Sequence, residues 1–392
     1  MIRLFFFCVL CVLYGGTAAR AQEPPAPQAV SPAQLTAAID KLGDLDYATR
    51  TAASRTIRRT PPEQAVLALL RAVDEHPDGY VRYRALVLLT GFNDPRTKDS
   101  MRASIASPND RLRTVSYSYF EHNPDRSMTA ELIKALDKEQ GEFVRPALVR
   151  AAAALAVQEP AIRPAVLREV NRGEDFFRSA VIEALGDYKA TYAFDAIVAV
   201  AKLDGPLQDD AALALGKIGD KRALTTIAAI QHSAPRAAQP SIATAICLLG
   251  QNCESHENYL TETLQFADKN LGFQELLRGA AAGLGVLAIA GHREAAESLF
   301  EIGVPSRDPT RAPVALALAT IALRDTPLMM SILEAKKDRV GALGLLAEGF
   351  DMLEEDLDKE RFFAAVRRAY WAAAAGSPTR ELMQTLIGKL DF

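Results

Sequence analysis

Tryptophan is nearly missing from this chain of 392 residues, which holds one, Trp371, beside only 4 cysteines and 5 histidines. The histidines (His76, His122, His232, His256 and His292) are scattered. No two stand at the H-x-x-x-H or H-E-x-x-H spacing that puts both imidazoles on one helical face. A zinc-type cysteine set, a G-x-S-x-G elbow and a phosphate loop are missing too. These absences argue against the common metal, acyl-transfer and nucleotide chemistries, so no metal, no cofactor and no catalytic residue is predicted. A basic excess is also lacking: 45 Lys+Arg stand against 49 Asp+Glu, a net charge of −4, which argues against nucleic acid as a partner. Alternating apolar–polar runs between hairpin turns do not occur, so no sheet is expected. The longest apolar run, Leu4–Tyr14, has eleven residues. A bilayer span needs about twenty, and no transmembrane segment is expected in the mature chain.

What the chain does have is a repeated unit, clearest in Leu207–Ile227 (LQDDAALALGKIGDKRALTTI). Leu207, Ala211, Ala214 and Leu215 fall on one face of a helix. Gly216 and Gly219 are expected to close that helix, and Asp220 to cap a second one beginning at Lys221. An arginine near the start of the first helix tracks the earlier copies: Arg50, Arg82, Arg113, Arg145 and Arg178 recur every 31 to 33 residues. Each follows an acidic residue by three or four positions, namely Asp46, Asp78, Asp110, Glu142 and Asp175. Later copies begin near Gln208, Ile242, Arg278, Arg311 and Arg339 and keep the small-apolar face. One such helix pair cannot bury its apolar face alone and must stack on its copies.

FFRSAVIEALGDY (Phe176–Tyr188) and LQDDAALALGKIGD (Leu207–Asp220) carry a resemblance to the HEAT-repeat family. It is most like the short bacterial form, the phycobilisome-lyase HEAT-like repeats, whose copies read roughly V-R-x-x-A-x-x-A-L-G-x-[IL]-G-D. The resemblance implies an all-α chain, an armadillo-like, right-handed α-solenoid of about ten HEAT-like antiparallel helix pairs. It also implies that the acid–arginine pairs form a structural ladder registering neighbouring repeats, interrupted where Gln208 replaces the arginine. Deoxyhypusine hydroxylase, a relative, binds two irons through His–Glu pairs at equivalent repeat positions. Here His256-Glu257 is the single His-Glu dipeptide, with no second pair one repeat away, so that chemistry is not expected.

Residues 1–21 read as a secretory signal peptide: Arg3, the apolar run, then Ala19-Arg20-Ala21 as an A-x-A cleavage site, with the cut after Ala21. A periplasmic or secreted location follows. Residues 22–30 (QEPPAPQAV) are a Pro/Ala-rich linker, and 31–392 form the repeat solenoid. Helix starts are marked by Ser31-Pro32, Thr60-Pro61, Asp94-Pro95, Asp308-Pro309, Thr326-Pro327 and Ser377-Pro378, with a capping box expected at Thr60–Glu63. The stretch from about 354 to 392 reads as a charged C-terminal cap, and its run Glu354–Glu360 as a solvated face.

Cys247 and Cys253 are the only cysteines left after cleavage. They read either as a disulfide, with Gly250-Gln251-Asn252 folding the chain back, or as a buried Cys247 beside a free Cys253. Tyr47, Tyr80, Phe143 and Phe176, just ahead of the arginine-tracked helices, read as packing against the following turn. The favoured function is an exported scaffold that binds a protein or extended peptide on its concave surface; the alternative is a cofactor-handling enzyme, lyase or hydroxylase-like, on the same repeats. For the binding groove the candidates are Arg55, Tyr83, Arg84 and Arg150, expected to be exposed there and to receive an acidic or extended segment.

Overall fold

A computed structural model describes residues 29–353 and 356–392; the expected signal peptide and the linker up to residue 28 lie outside the described residues. Among those described there are 22 α-helices and no strand. Ten helices line the inner face in succession: Tyr47–Arg59, Gly79–Leu89, Asp110–His122, Val144–Ala156, Asp175–Asp187, Gln208–Ile218, Gln239–Leu248, Gln274–Ile289, Arg311–Arg324 and Arg339–Met352. Nine of them are followed by a helix on the outer face, from Pro62–Glu75 to Thr326–Ala335. The result is the expected α-solenoid, preceded by the helix Pro32–Asp40.

Local chemistry sets the helix limits. Ser31 and Gln34 form a reciprocal capping box, and Asp46, Asp78, Asn109, Asp325, Asp338 and Ser377 each accept a hydrogen bond from the first turn that follows. The box expected at Thr60–Glu63 is not there: the Thr60 hydroxyl donates back to the Thr56 carbonyl at 2.9 Å, and the helix simply starts on Pro62. Gly219 ends the helix Gln208–Ile218 in the left-handed conformation, at φ +81°.

Gly216 does not end it, contrary to the sequence expectation. It lies inside the helix, against the next inner helix, where a Cβ would come within 2.5 Å of Ala245 Cα. The same device recurs down the second half of the stack. Gly186 meets Ala214, Gly283 meets the Thr244 hydroxyl, and Gly349 meets the backbone of Ala315. The outer helices instead bury large side chains such as Ile227, Ile230, Leu264, Phe300 and Ile332. A stack that is thin inside and thick outside bends toward its inner face.

The bend is sharp enough to bring the two ends together. After the last inner helix the chain enters Asp356–Ala372, which packs against the ends of the inner helices Gly79–Leu89 and Asp110–His122 as well as Arg311–Arg324. Leu357 joins the apolar core that runs through the first seven repeats, while Phe362, Val366 and Tyr370 join the one that starts in the seventh and runs to the end. The stretch expected to be an outward polar cap is therefore a strut across the concavity, because four of its apolar residues need two cores to be buried.

Gly216→Ala tests the close approach. Helix propensity alone would favour the change by about 1 kcal/mol, but overpacking against a backbone costs about 1–3 kcal/mol. A lower urea midpoint is expected. Gly344→Ala, in a helix position with nothing within 4 Å, is expected to stabilise by about 0.4–1 kcal/mol.

Candidate functional site

The arginines that track the repeats act on backbone more than on the acids before them. Arg82 donates to the Val73 carbonyl at 2.6 Å, Arg113 to Ser107 at 2.8 Å, Arg178 to Val170 at 3.0 Å and Arg339 to Glu334 at 2.8 Å. Arg311 reaches Gly303 and Val304 at 3.1 and 3.0 Å. Apart from that of Ser107, which lies in the loop beyond its helix, these carbonyls belong to the ends of the preceding outer helices, where they have no partner within their own helix. Arg50 does the same for the loop carbonyls of Asp44 and Leu45. Gln208 does not interrupt the series. Its amide donates to Ala201 and Leu203, both at 3.2 Å, and Gln239 repeats the contact one copy later at Gln231 and Ala234.

The acids divide their work. Asp110 and Asp175 pair with Arg113 and Arg178 at 2.6 and 2.9 Å, whereas Asp46 and Asp78 cap their helices through Thr49 and Tyr80. Arg145 departs from the pattern: it lies 3.6 Å from the centre of the Phe177 ring and 3.6 Å from Glu169, not on Glu142. The aromatics ahead of these helices do not staple them, since Tyr47, Phe143 and Phe176 are exposed and only Tyr80 is partly covered.

The four residues expected to line an open groove are already engaged. Tyr83 is buried and donates its hydroxyl to Asp356, which also meets Arg84 at 2.9 Å. Arg55 pairs with Asp391. Arg150, mostly buried, lies 2.8 Å from Glu121 and 2.9 Å from Asp187. Burial disfavours its charge, but these carboxylates outweigh burial and hold its pKa above the ordinary value. The chain's own acidic helix fills the groove at Tyr83 and Arg84, the C-terminal Asp391 holds Arg55, and the neighbouring repeats hold Arg150, so these side chains are not free for a partner.

Of the acidic run, the described carboxylates Asp356, Asp358 and Glu360 face inward. Glu360 is 2 % exposed and takes a two-pronged contact from the buried Arg58, at 2.9 Å from Nε and 2.7 Å from Nη2. The Arg58 guanidinium also lies 5.1 Å from the centre of the Phe363 ring, and Phe363 stacks on Phe392 at 4.1 Å. His122 meets Asp358 at 2.5 Å. Neither Arg58 nor Glu360 stands out in the sequence, because nothing local connects positions 302 residues apart.

Beyond the strut the inner face stays open as a cleft of about 550 Å³. Leu213, Val286, Ile289, Leu316 and Met352 give it an apolar floor, and Glu183, Asp210, Lys217 and Arg278 give it charge. Lys217 is committed to Asp187 at 2.6 Å. Burial, reinforced by Asp209 and Glu183, pushes the Asp210 carboxyl above its usual range, even though Ser179 donates to it. Cys247 and Cys253 are joined as a disulfide at the repeat edge, their Cα atoms 4.1 Å apart. Gly250 and Asn252, both with positive φ, make the turn that folds the chain back.

Residues 35–119 match the family model described as HEAT repeats. No curated protein matches the chain in sequence. Among solved structures it is similar to YibA of Escherichia coli, at 16% identity and TM-score 0.42, covering 57% of this chain and 83% of that one. It is similar to the CpcE–CpcF complex of phycocyanin lyase from Nostoc sp. PCC7120, at 19% identity and TM-score 0.43, covering 67% and 97%. Kap121p matches at 13% identity and TM-score 0.41 over 92% of this chain, which spans 45% of that protein.

Two outcomes test the closure. Glu360→Ala leaves Arg58 buried and unpaired and is expected to cost about 3–5 kcal/mol, whereas Arg58→Met with Glu360→Met is expected to recover most of it; urea unfolding measures both. Burial raises the Asp356 pKa, but Arg84 and the Tyr83 hydroxyl outweigh it, and the net value is lowered. Such a carboxylate adds stability above its unfolded pKa, and that stability is lost as pH falls through the folded value. The strut is thus expected to hold at neutral pH and to loosen progressively below about pH 4, read as faster proteolysis within 353–392.

Proposed function

For a HEAT-repeat protein whose first repeats are covered by its own C-terminal helix, we propose a binding scaffold that takes a segment of a partner protein in the cleft left open on its inner face. The observation that carries this reading is the division of the concave surface. One half is satisfied by an acidic helix with apolar anchors, and the other presents Ile289, Leu316 and Met352 each more than a third exposed. The segment that fits has apolar side chains for that floor and a basic residue for Glu183 and Asp210, whose neighbouring Lys217 is already paired. The scaffold is exported, cut after Ala21, and acts in the periplasm or outside the cell, where Cys247 and Cys253 stay bonded. It binds without catalysing.

Capture from an envelope fraction with the mature chain, followed by the same capture with Leu316→Asp, tests the cleft. Loss of a central apolar anchor is expected to weaken a specific partner by about thirtyfold or more, with an unchanged melting temperature. Equal capture by both chains would contradict the cleft, and turnover of a bound small molecule would favour the enzyme alternative. N-terminal sequencing of the exported chain is expected to begin at Gln22.

A further inference from the structure

Three chain segments meet at the edge of the stack and bring donor atoms together that no sequence spacing reveals. Cys247 lies in the last turn of the inner helix Gln239–Leu248 and is buried; Cys253 opens the outer helix Cys253–Lys269; His292 directly precedes the helix Arg293–Gly303. Their ligand atoms all lie within 4.8 Å of one another. The Cys253 sulfur is 3.7 Å from His292 Nδ1 and 3.8 Å from Nε2. In a tetrahedral zinc site, with Zn–S near 2.3 Å and Zn–N near 2.0–2.1 Å, a sulfur and a nitrogen ligand stand about 3.6 Å apart. The separation of Cys253 from His292 is close to this, and the two sulfurs, bonded to each other here, have to part to reach it. Glu257, one turn after Cys253 on the same helical face, places a carboxylate oxygen 3.5 Å from His292 Nδ1. That is the partner a ligating imidazole needs to fix its orientation and free Nε2 for a metal.

We propose that the reduced chain binds one soft divalent cation, Zn²⁺ or its close analogue Co²⁺, through the Cys247 and Cys253 thiolates and His292 Nε2, with Glu257 orienting the imidazole and water in the fourth position. The two sulfurs are bonded to each other in the structure, so the metal and the disulfide are alternative states of one site. A small-molecule dithiol supplies two electrons and two protons, the S–S bond becomes two thiols, and the reductant becomes its own disulfide. Binding of the cation then releases both thiol protons. The same residues serve as a covalent staple under oxidising conditions and as a metal clip under reducing ones.

The test uses the full mature chain, reduced with a dithiol, freed of it anaerobically and titrated with Co²⁺ alone. One equivalent is expected to bind with a thiolate-to-cobalt charge-transfer band, displaced by one equivalent of Zn²⁺ and absent from the oxidised chain. Cys253→Ser is expected to abolish the band. Glu257→Gln is expected to keep it and weaken binding by about 10- to 100-fold. His292→Ala, with its helical circular dichroism unchanged, is expected to weaken binding further. No charge-transfer band in the reduced wild type would overturn the site. So would a band and affinity indifferent to both His292→Ala and Glu257→Gln, since the cysteines alone would then explain the binding.

Discussion

The distance between successive inner helices governs this molecule. Where Gly186, Gly216 and Gly349 face a neighbouring helix, the approach stops only at backbone or at a Cβ. The outer helices are held further apart by leucine, isoleucine and phenylalanine. A repeated wedge must curve, and here residues of the first repeat touch the helices that follow the last. Every long-range contact described above, from Arg55–Asp391 to Arg58–Glu360, follows from that geometry.

Magnitudes divide the labour in the closure. Burying Leu357, Phe362, Val366 and Tyr370 contributes about 1.5–3 kcal/mol for each side chain. The partly exposed pairs at Asp356 and Asp391 contribute at most about 1 kcal/mol each. Arg58–Glu360 returns little net stability, since desolvation offsets its attraction, but a misregistered helix would leave either charge buried alone. Apolar anchors therefore hold the helix in the concavity, and the ion pairs decide where it sits.

Much of this was legible in the sequence, because a 31- to 33-residue period and its caps are local signals. The ten arginine- or small-residue-tracked copies are the ten inner helices. Local reading failed where meaning depended on a neighbour. Gln208 looked like a lost arginine, yet an amide also satisfies a helix-end carbonyl. Gly216 looked like a terminator, yet its use is close approach. Tyr83 and Arg84 looked like surface, because the helix that covers them lies more than 270 residues away. His292 gave no sign of its two cysteines for the same reason.

Closure of the stack is the central claim, and one distance decides it. Nitroxide labels at Thr56→Cys and Lys389→Cys, both exposed, would report the separation of the first inner helix and the last helix, with the native disulfide left oxidised. An open stack of ten helices at about 9 Å each would place them on the order of 90 Å apart. The closed form is expected to give a single narrow distribution well under half of that, broadening toward long distances in Glu360→Ala. A long, broad distribution in the wild type would contradict the closed solenoid.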